Sequence, residues 1–181
     1  MGKSKKGGQW ERDVSRFLTN WLTGQKKELY FWRSPSSGGI FTRTPENTTI
    51  SGDIISLKPE ADILTSKFSL ELKNGYKEAS LDKILKYNKS DVIELHWIQA
   101  CDDANKSNKL PMLIYKKLGL PTPWIGIEST FNDYVTSYMD GKRFVHIRWD
   151  TEYPDIYFYE FKEFFENVTP DAIKDFKVLT I

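Results

Sequence analysis

Six apolar residues near the start of the chain, Trp10, Val14, Phe17, Leu18, Trp21 and Leu22, recur at intervals of 4, 3, 1, 3 and 1. That spacing predicts a helix over residues 9–23 with one buried stripe, stopped by Gly24. Residues 29–33 (Leu-Tyr-Phe-Trp-Arg) predict a strand that ends in the turn-rich run 34–39, and a polar loop follows over 40–50. Further on, Phe68, Leu70 and Leu72 alternate with Ser69, Glu71 and Lys73. Side chains two apart on a strand share a face, so the apolar set points to a core and Glu71 and Lys73 point together the other way. Residues 52–57 are expected as the antiparallel strand before it. Ser80 is a candidate N-cap for a helix from Leu81, and residues 91–105 predict another helix with Ile93, Trp97, Ala100, Cys101 and Ala104 on one side. Strands are expected at 110–117, 124–127, 144–149 and 156–161, with a terminal helix near 161–167. The order helix, strand, strand, strand, helix, strand predicts an α/β domain around a mixed sheet.

Composition narrows the class. A chain of 181 residues with 14% aromatics can bury one proper core without staples. A single cysteine, Cys101, excludes an internal disulfide and agrees with a reducing cytoplasm. No apolar run reaches membrane-spanning length, and the basic N-terminus lacks the apolar segment of a signal peptide. Residues 1–8 are expected as a flexible basic arm, and 9–181 as one domain with a core over 9–118 and a C-terminal extension over 119–181. The net charge of +1 hides an asymmetry: residues 1–44 carry nine basic side chains against three acidic ones. A basic end of this kind can hold a polyanion. His96 and His146 lack the spacing of a zinc site, and no Walker loop, dinucleotide fingerprint or Gly-x-Ser-x-Gly elbow is present.

The candidate chemistry lies in Asp53, Glu71 and Lys73. If the strand at 52–57 runs antiparallel to the one at 68–73, Asp53 stands at its open end beside the Glu-x-Lys pair. Two carboxylates can hold a hard divalent cation and an adjacent lysine can help activate water, which suggests metal-assisted hydrolysis of a phosphodiester. Asp62 is the rival ligand, because 61–64 could pair with 69–71. That pairing leaves strands of only about three residues, short against the usual five or six. Arg33, beside a Ser/Gly-rich loop, suits phosphate contact. Gln99 would back the site from the following helix, either within reach of a metal-bound water or as a plain surface amide. Lys116 and Lys117 end a strand in the same region.

Four segments, Gly8-Gln9-Trp10-Glu11-Arg12, Trp32-Arg33-Ser34-Pro35-Ser36-Ser37-Gly38, Gly52-Asp53 and Glu71-Leu72-Lys73, together resemble the PD-(D/E)XK nuclease superfamily. The resemblance sharpens to one branch, the archaeal-type Holliday junction resolvases and their phage relatives. It covers residues 8–74 well and 110–117 loosely, and the aspartate follows Gly52 where the superfamily often has proline. The resemblance implies a restriction-endonuclease-like core and a DNA endonuclease that uses Mg2+, with Mn2+ able to substitute. By position, Glu11, Asp53 and Glu71 would surround the metal, Lys73 would assist the water and Ser37 would contact DNA. Arg12, Arg33, Lys3, Lys5 and Lys6 would add phosphate contacts. A homodimer is expected, because paired strand cuts need two sites. Two rivals remain open: a nuclease of the same fold acting on linear duplex, ends or flaps, and a catalytically silent nucleic-acid-binding module.

Overall fold

The computed structural model describes residues 3–34, 51–75, 92–117, 119, 121–149 and 151–178. The expected turn at 35–39, the loop at 40–50 and the helix from Leu81 lie outside them. Helix α1 (Lys3–Thr23) starts six residues before the expected position 9, so the backbone of residues 3–8 is helical where an arm was expected. The amphipathic stripe is as predicted, with Trp10, Val14 and Leu18 buried. Gly24 ends the helix at φ +67°, donating its N–H to the Asn20 carbonyl. This is the left-handed terminal residue that glycine adopts without a steric penalty.

Strands β1 (Phe31–Arg33) and β2 (Ile54–Ser56) pair antiparallel, Trp32 opposite Ile55. Here the structure corrects the expected hairpin. The strand after Asp53 pairs with β1, and it joins β3 (Phe68–Asn74) only at its root. There the Asp53 N–H donates to the Leu70 carbonyl at 2.7 Å. The rival pairing is absent as well. Pro59–Ala61 forms a 3-10 turn that runs into helix α2 (Asp62–Thr65), and the Asp62 carboxylate accepts the Ser56 hydroxyl. A proline at the first position favours such a helical start over a strand. Asp62 is thereby engaged away from the Glu-x-Lys face.

Helix α3 (Val92–Asn105) carries the chain across to β4 (Leu110–Lys116), which lies parallel to β3 with Glu71 opposite Leu113 and Lys73 opposite Tyr115. Strands β5 (Trp124–Glu128), β6 (Val145–Ile147) and β7 (Ile156–Glu160) complete a five-stranded mixed sheet in the order β3-β4-β5-β7-β6. One face of the sheet packs on α3 through Trp97, Ala100, Cys101, Leu113 and Phe158. The other face packs on α1 and on three short helices, α4 (Ser129–Val135), α5 (Phe161–Asn167) and α6 (Pro170–Asp175). Residues 119–181 thus supply three sheet strands and much of the larger core.

Of the three short helices only α5 is visible as a pattern. The others rest on caps: the Glu128 carboxylate accepts the N–H groups of Thr130 and Phe131, and the Thr169 hydroxyl accepts that of Ala172. The Lys67 ammonium donates to the carbonyls of Ile173, Lys174 and Phe176, which clamps the end of α6 to the root of β3. Charge-assisted bonds of this kind are the strong ones. Burial lowers the Lys67 pKa, opposed by the nearby charge of Asp175.

Candidate active site

Strand β3 decides the site. Its alternation sends Phe68, Leu70 and Leu72 into the core and brings Glu71 and Lys73 to the opposite face. The Lys73 Nζ lies 2.5 Å from Glu71 Oε1 and donates to Gln99 Oε1 at 2.8 Å. Gln99 reaches across from α3, which packs on β3 and β4. Asp53 enters from the neighbouring turn. Its N–H bonds the Leu70 carbonyl, and its Oδ2 accepts the Leu72 N–H at 2.9 Å. Two bonds to consecutive peptide units of β3 fix the carboxyl group beside Glu71.

Gly52 makes this approach possible. At φ +80° it lies in the left-handed region, and a Cβ there would stand 2.6 Å from the Leu70 carbonyl oxygen and 2.7 Å from its nitrogen. No side chain fits against the strand backbone at that distance.

Helix α1 contributes Glu11, buried, whose Oε2 pairs with Arg33 Nε at 3.0 Å. Arg33 ends β1, and the next residue ties β1 to the site: the Ser34 N–H donates to the Asp53 carbonyl at 2.7 Å. Three elements far apart in sequence therefore deliver acidic groups to one place.

The electrostatics follow from that crowding. Asp53 is pushed up from 3.8 to about 7, first by burial and next by the charge of Glu71, with the Leu72 amide opposing and Glu11 adding to the rise. Burial also raises Glu71, with Lys73 as the main counterweight and Asp103 and Glu11 as further repulsive charges. His96 falls to about 4, by burial and by the charge of Lys73, so it is neutral near pH 7.

Among the described residues, no group of three or more His, Cys, Asp or Glu is arranged to hold a metal ion as it stands. The chemistry of the donors nevertheless fits one. Asp53 and Glu71 are carboxylates kept close together against burial and mutual repulsion, and a cation between them would relieve both. Mg2+ uses few protein ligands, typically one or two carboxylates with waters and phosphate oxygens completing the shell. Glu11, tied to Arg33, flanks this pair.

Of the residues expected from sequence, Glu11, Asp53, Glu71, Lys73 and Arg33 come together. Arg12 lies on α1 nearby, with Nη2 donating to Gln9 Oε1 at 3.1 Å. Ser37 and the side chains of Lys3, Lys5 and Lys6 lie outside the described residues. Lys116 is turned to another use, its ammonium 5.2 Å from the centre of the Trp10 ring. Sequence reasoning placed Gln99 near a water and missed its bond to Lys73. It missed Asp103 altogether, although Gln99 and Asp103 are four apart on α3 and so share a face.

No helix of the described residues is long and apolar enough to cross a membrane. No curated protein matches the chain significantly, and no solved structure does. The model of a family described as "Phage putative PDDEXK endonuclease" matches residues 2–175. The mixed five-stranded sheet with flanking helices accords with the restriction-endonuclease-like fold of such enzymes. Matched over nearly its whole length, the chain belongs to this phage endonuclease family of the PD-(D/E)XK superfamily.

Proposed function

We propose that the protein is a divalent-metal-dependent DNA endonuclease, selective for branched DNA, with Asp53, Glu71 and Lys73 as its catalytic centre. The observation that carries this reading is the convergence of Asp53, from the turn before β2, on Glu71 and Lys73 of β3. Asp53 and Glu71 would hold Mg2+, or Mn2+ in its place, with Glu11 completing the acidic wall. A cation held there supplies a polarised phosphoryl oxygen and a lower pKa for the attacking water.

The chain's own residues do the rest. Lys73, held by Glu71 and Gln99, has its ammonium fixed where it can orient the water by donating to it. Glu71 pairs with Lys73, whose charge opposes the burial that raises the Glu71 pKa. Arg33 stands beside the acids as a counter-charge for the DNA phosphate, and Ser37, Arg12, Lys3, Lys5 and Lys6 extend that contact along the backbone. The preference for four-way junctions rests on the likeness of residues 8–74 to the resolvases. It brings with it a homodimer that makes paired cuts, acting in the cytoplasm, where the buried Cys101 stays reduced.

The deciding assay is Mg2+-dependent cleavage of a labelled four-way junction beside a linear duplex, with Glu71→Ala as the control. Junction-selective cutting that disappears in the variant supports the proposal in full. Equal cutting of both substrates keeps the nuclease and removes the junction preference. Tight binding with no cutting in Mg2+ or Mn2+ turns the reading to a silent DNA-binding module.

Gln99 supplies a finer check on Lys73. Gln99→Ala frees the ammonium to rotate while leaving the acids in place, and outer-shell partners of this kind are typically worth about tenfold or more in activity. Single-turnover cleavage should slow by about that factor with substrate affinity unchanged. An unaltered rate would show that Lys73 needs no second anchor.

A further inference from the structure

Gly8 is a buried helical residue of α1, and its place against Arg33 has a consequence for DNA binding. A Cβ built on Gly8 would meet Arg33 Nη1 at 2.9 Å and Arg12 Nη1 at 3.5 Å. Two guanidinium groups therefore converge on one bare stretch of helix backbone. Arg33 is paired with Glu11, whose charge also acts on Asp53 and Glu71. Arg12 has as its partner the neutral amide of Gln9. Glu11 already balances Arg33, and two guanidinium groups this close present a fork of N–H donors that matches the geometry of phosphate oxygens.

The geometry points to Gly8 as a positioning residue: its missing side chain lets Arg33 lie across α1 beside Arg12, forming one seat for a DNA backbone phosphate at the edge of the acidic cluster. This rests on the nuclease reading above and adds to it the residue that builds the seat. Helix-interior glycine lowers helix stability relative to alanine, so Gly8 stands against the local helical preference. The clash that alanine would introduce falls on the far end of a flexible side chain, so Gly8→Ala displaces Arg33 and leaves the fold intact.

The test is steady-state cleavage of a labelled linear duplex and a four-way junction over a range of salt concentrations. Gly8→Ala, Arg33→Ala, Arg12→Ala and the Gly8→Ala/Arg33→Ala double variant are compared with the unaltered protein. Gly8→Ala should raise KM about tenfold on whichever substrate is cut, with kcat within about twofold. The slope of log KM against log salt should fall by about 0.9, the value of one phosphate contact, and Arg12→Ala should lose the same slope. The double variant should be no worse than Arg33→Ala alone, and the melting temperature of Gly8→Ala should be unchanged or higher.

An unchanged salt slope in Gly8→Ala overturns the seat, as do additive effects in the double variant or a fall in kcat alone. Those results would leave the nuclease standing, because the unaltered protein still cuts. If the unaltered protein cuts neither substrate in Mg2+ or Mn2+, the nuclease reading fails and the seat fails with it.

Discussion

Asp53→Asn is expected to reduce cleavage by about a hundredfold or more and, in the same protein, to stabilise the metal-free fold. Asparagine keeps an oxygen to accept the Leu72 N–H but cannot carry the charge that a metal ligand needs. The stability gain comes from the same feature that makes Asp53 useful. Its pKa is raised in the folded protein to about 7 from 3.8, chiefly by burial and then by Glu71. Between those values the folded chain holds a proton that the unfolded chain has released. The stability of the metal-free protein is therefore full below about pH 4 and declines as pH rises towards 7.

At 1.36 kcal/mol for each pH unit, a window of this width corresponds to at most about 4 kcal/mol. It is less to the extent that Asp53, only partly buried, keeps an open side to water. Thermal melts across pH 4–8 in a chelating buffer should show this decline in the natural sequence and a flatter profile in Asp53→Asn. Added Mg2+ or Mn2+ should raise the melting temperature of the natural protein more than that of the variant, since a ligand stabilises the state it binds. A variant that still cuts at full rate, or melts as the natural protein does at every pH, would remove Asp53 from the site.

Gly52→Ala should be the most damaging single methyl group in the described chain. Two penalties coincide there. One is a left-handed backbone, disfavoured by roughly 1–2 kcal/mol for an L side chain. The other is a Cβ forced within 2.6 Å of the backbone of Leu70. Leu70 is fully buried and its backbone is held in the sheet in register with Met112 of β4, so it cannot retreat as a flexible side chain would. Overpacking of this kind adds roughly 1–3 kcal/mol, and the displaced turn takes the Asp53 carboxyl away from Glu71. Stability should fall by about 2–5 kcal/mol and cleavage should be lost in whatever fraction remains folded.

Gly24→Ala is the matched control. Its φ is +67° but nothing stands within 4 Å of the added Cβ, so it should show the conformational penalty alone and keep its activity. Equal melting temperatures for the two variants would mean that the close approach at Leu70 has no energetic weight.

Much of the site was legible because it is written in local periods. The alternation over 68–73 assigns Glu71 and Lys73 to one face whatever the strand pairs with, since a strand has no other way to place side chains two apart. The stripe from Trp10 to Leu22 likewise assigns Glu11 to the border of a buried helix face, and Ile93 to Ala104 mark the side of α3 that meets the sheet. Together with Gly52-Asp53 these periods sufficed to bring out the superfamily resemblance.

Partnership was decided elsewhere. Nothing local says that β2 pairs with β1 and touches β3 only through Asp53. That depends on the left-handed turn at Gly52 and on the absence of room beside Leu70. Nor does the run at 61–64 announce that it is helical, because four residues are too few to show a period. The insertion of β7 between β5 and β6, the Gln99 amide on Lys73, and Arg33 lying across Gly8 all join segments many residues apart. Helical and strand periods follow from the backbone geometry of each segment alone, so the sequence determined them. Which segments meet depends on burial and close packing summed over the whole chain, and only the tertiary structure could decide it.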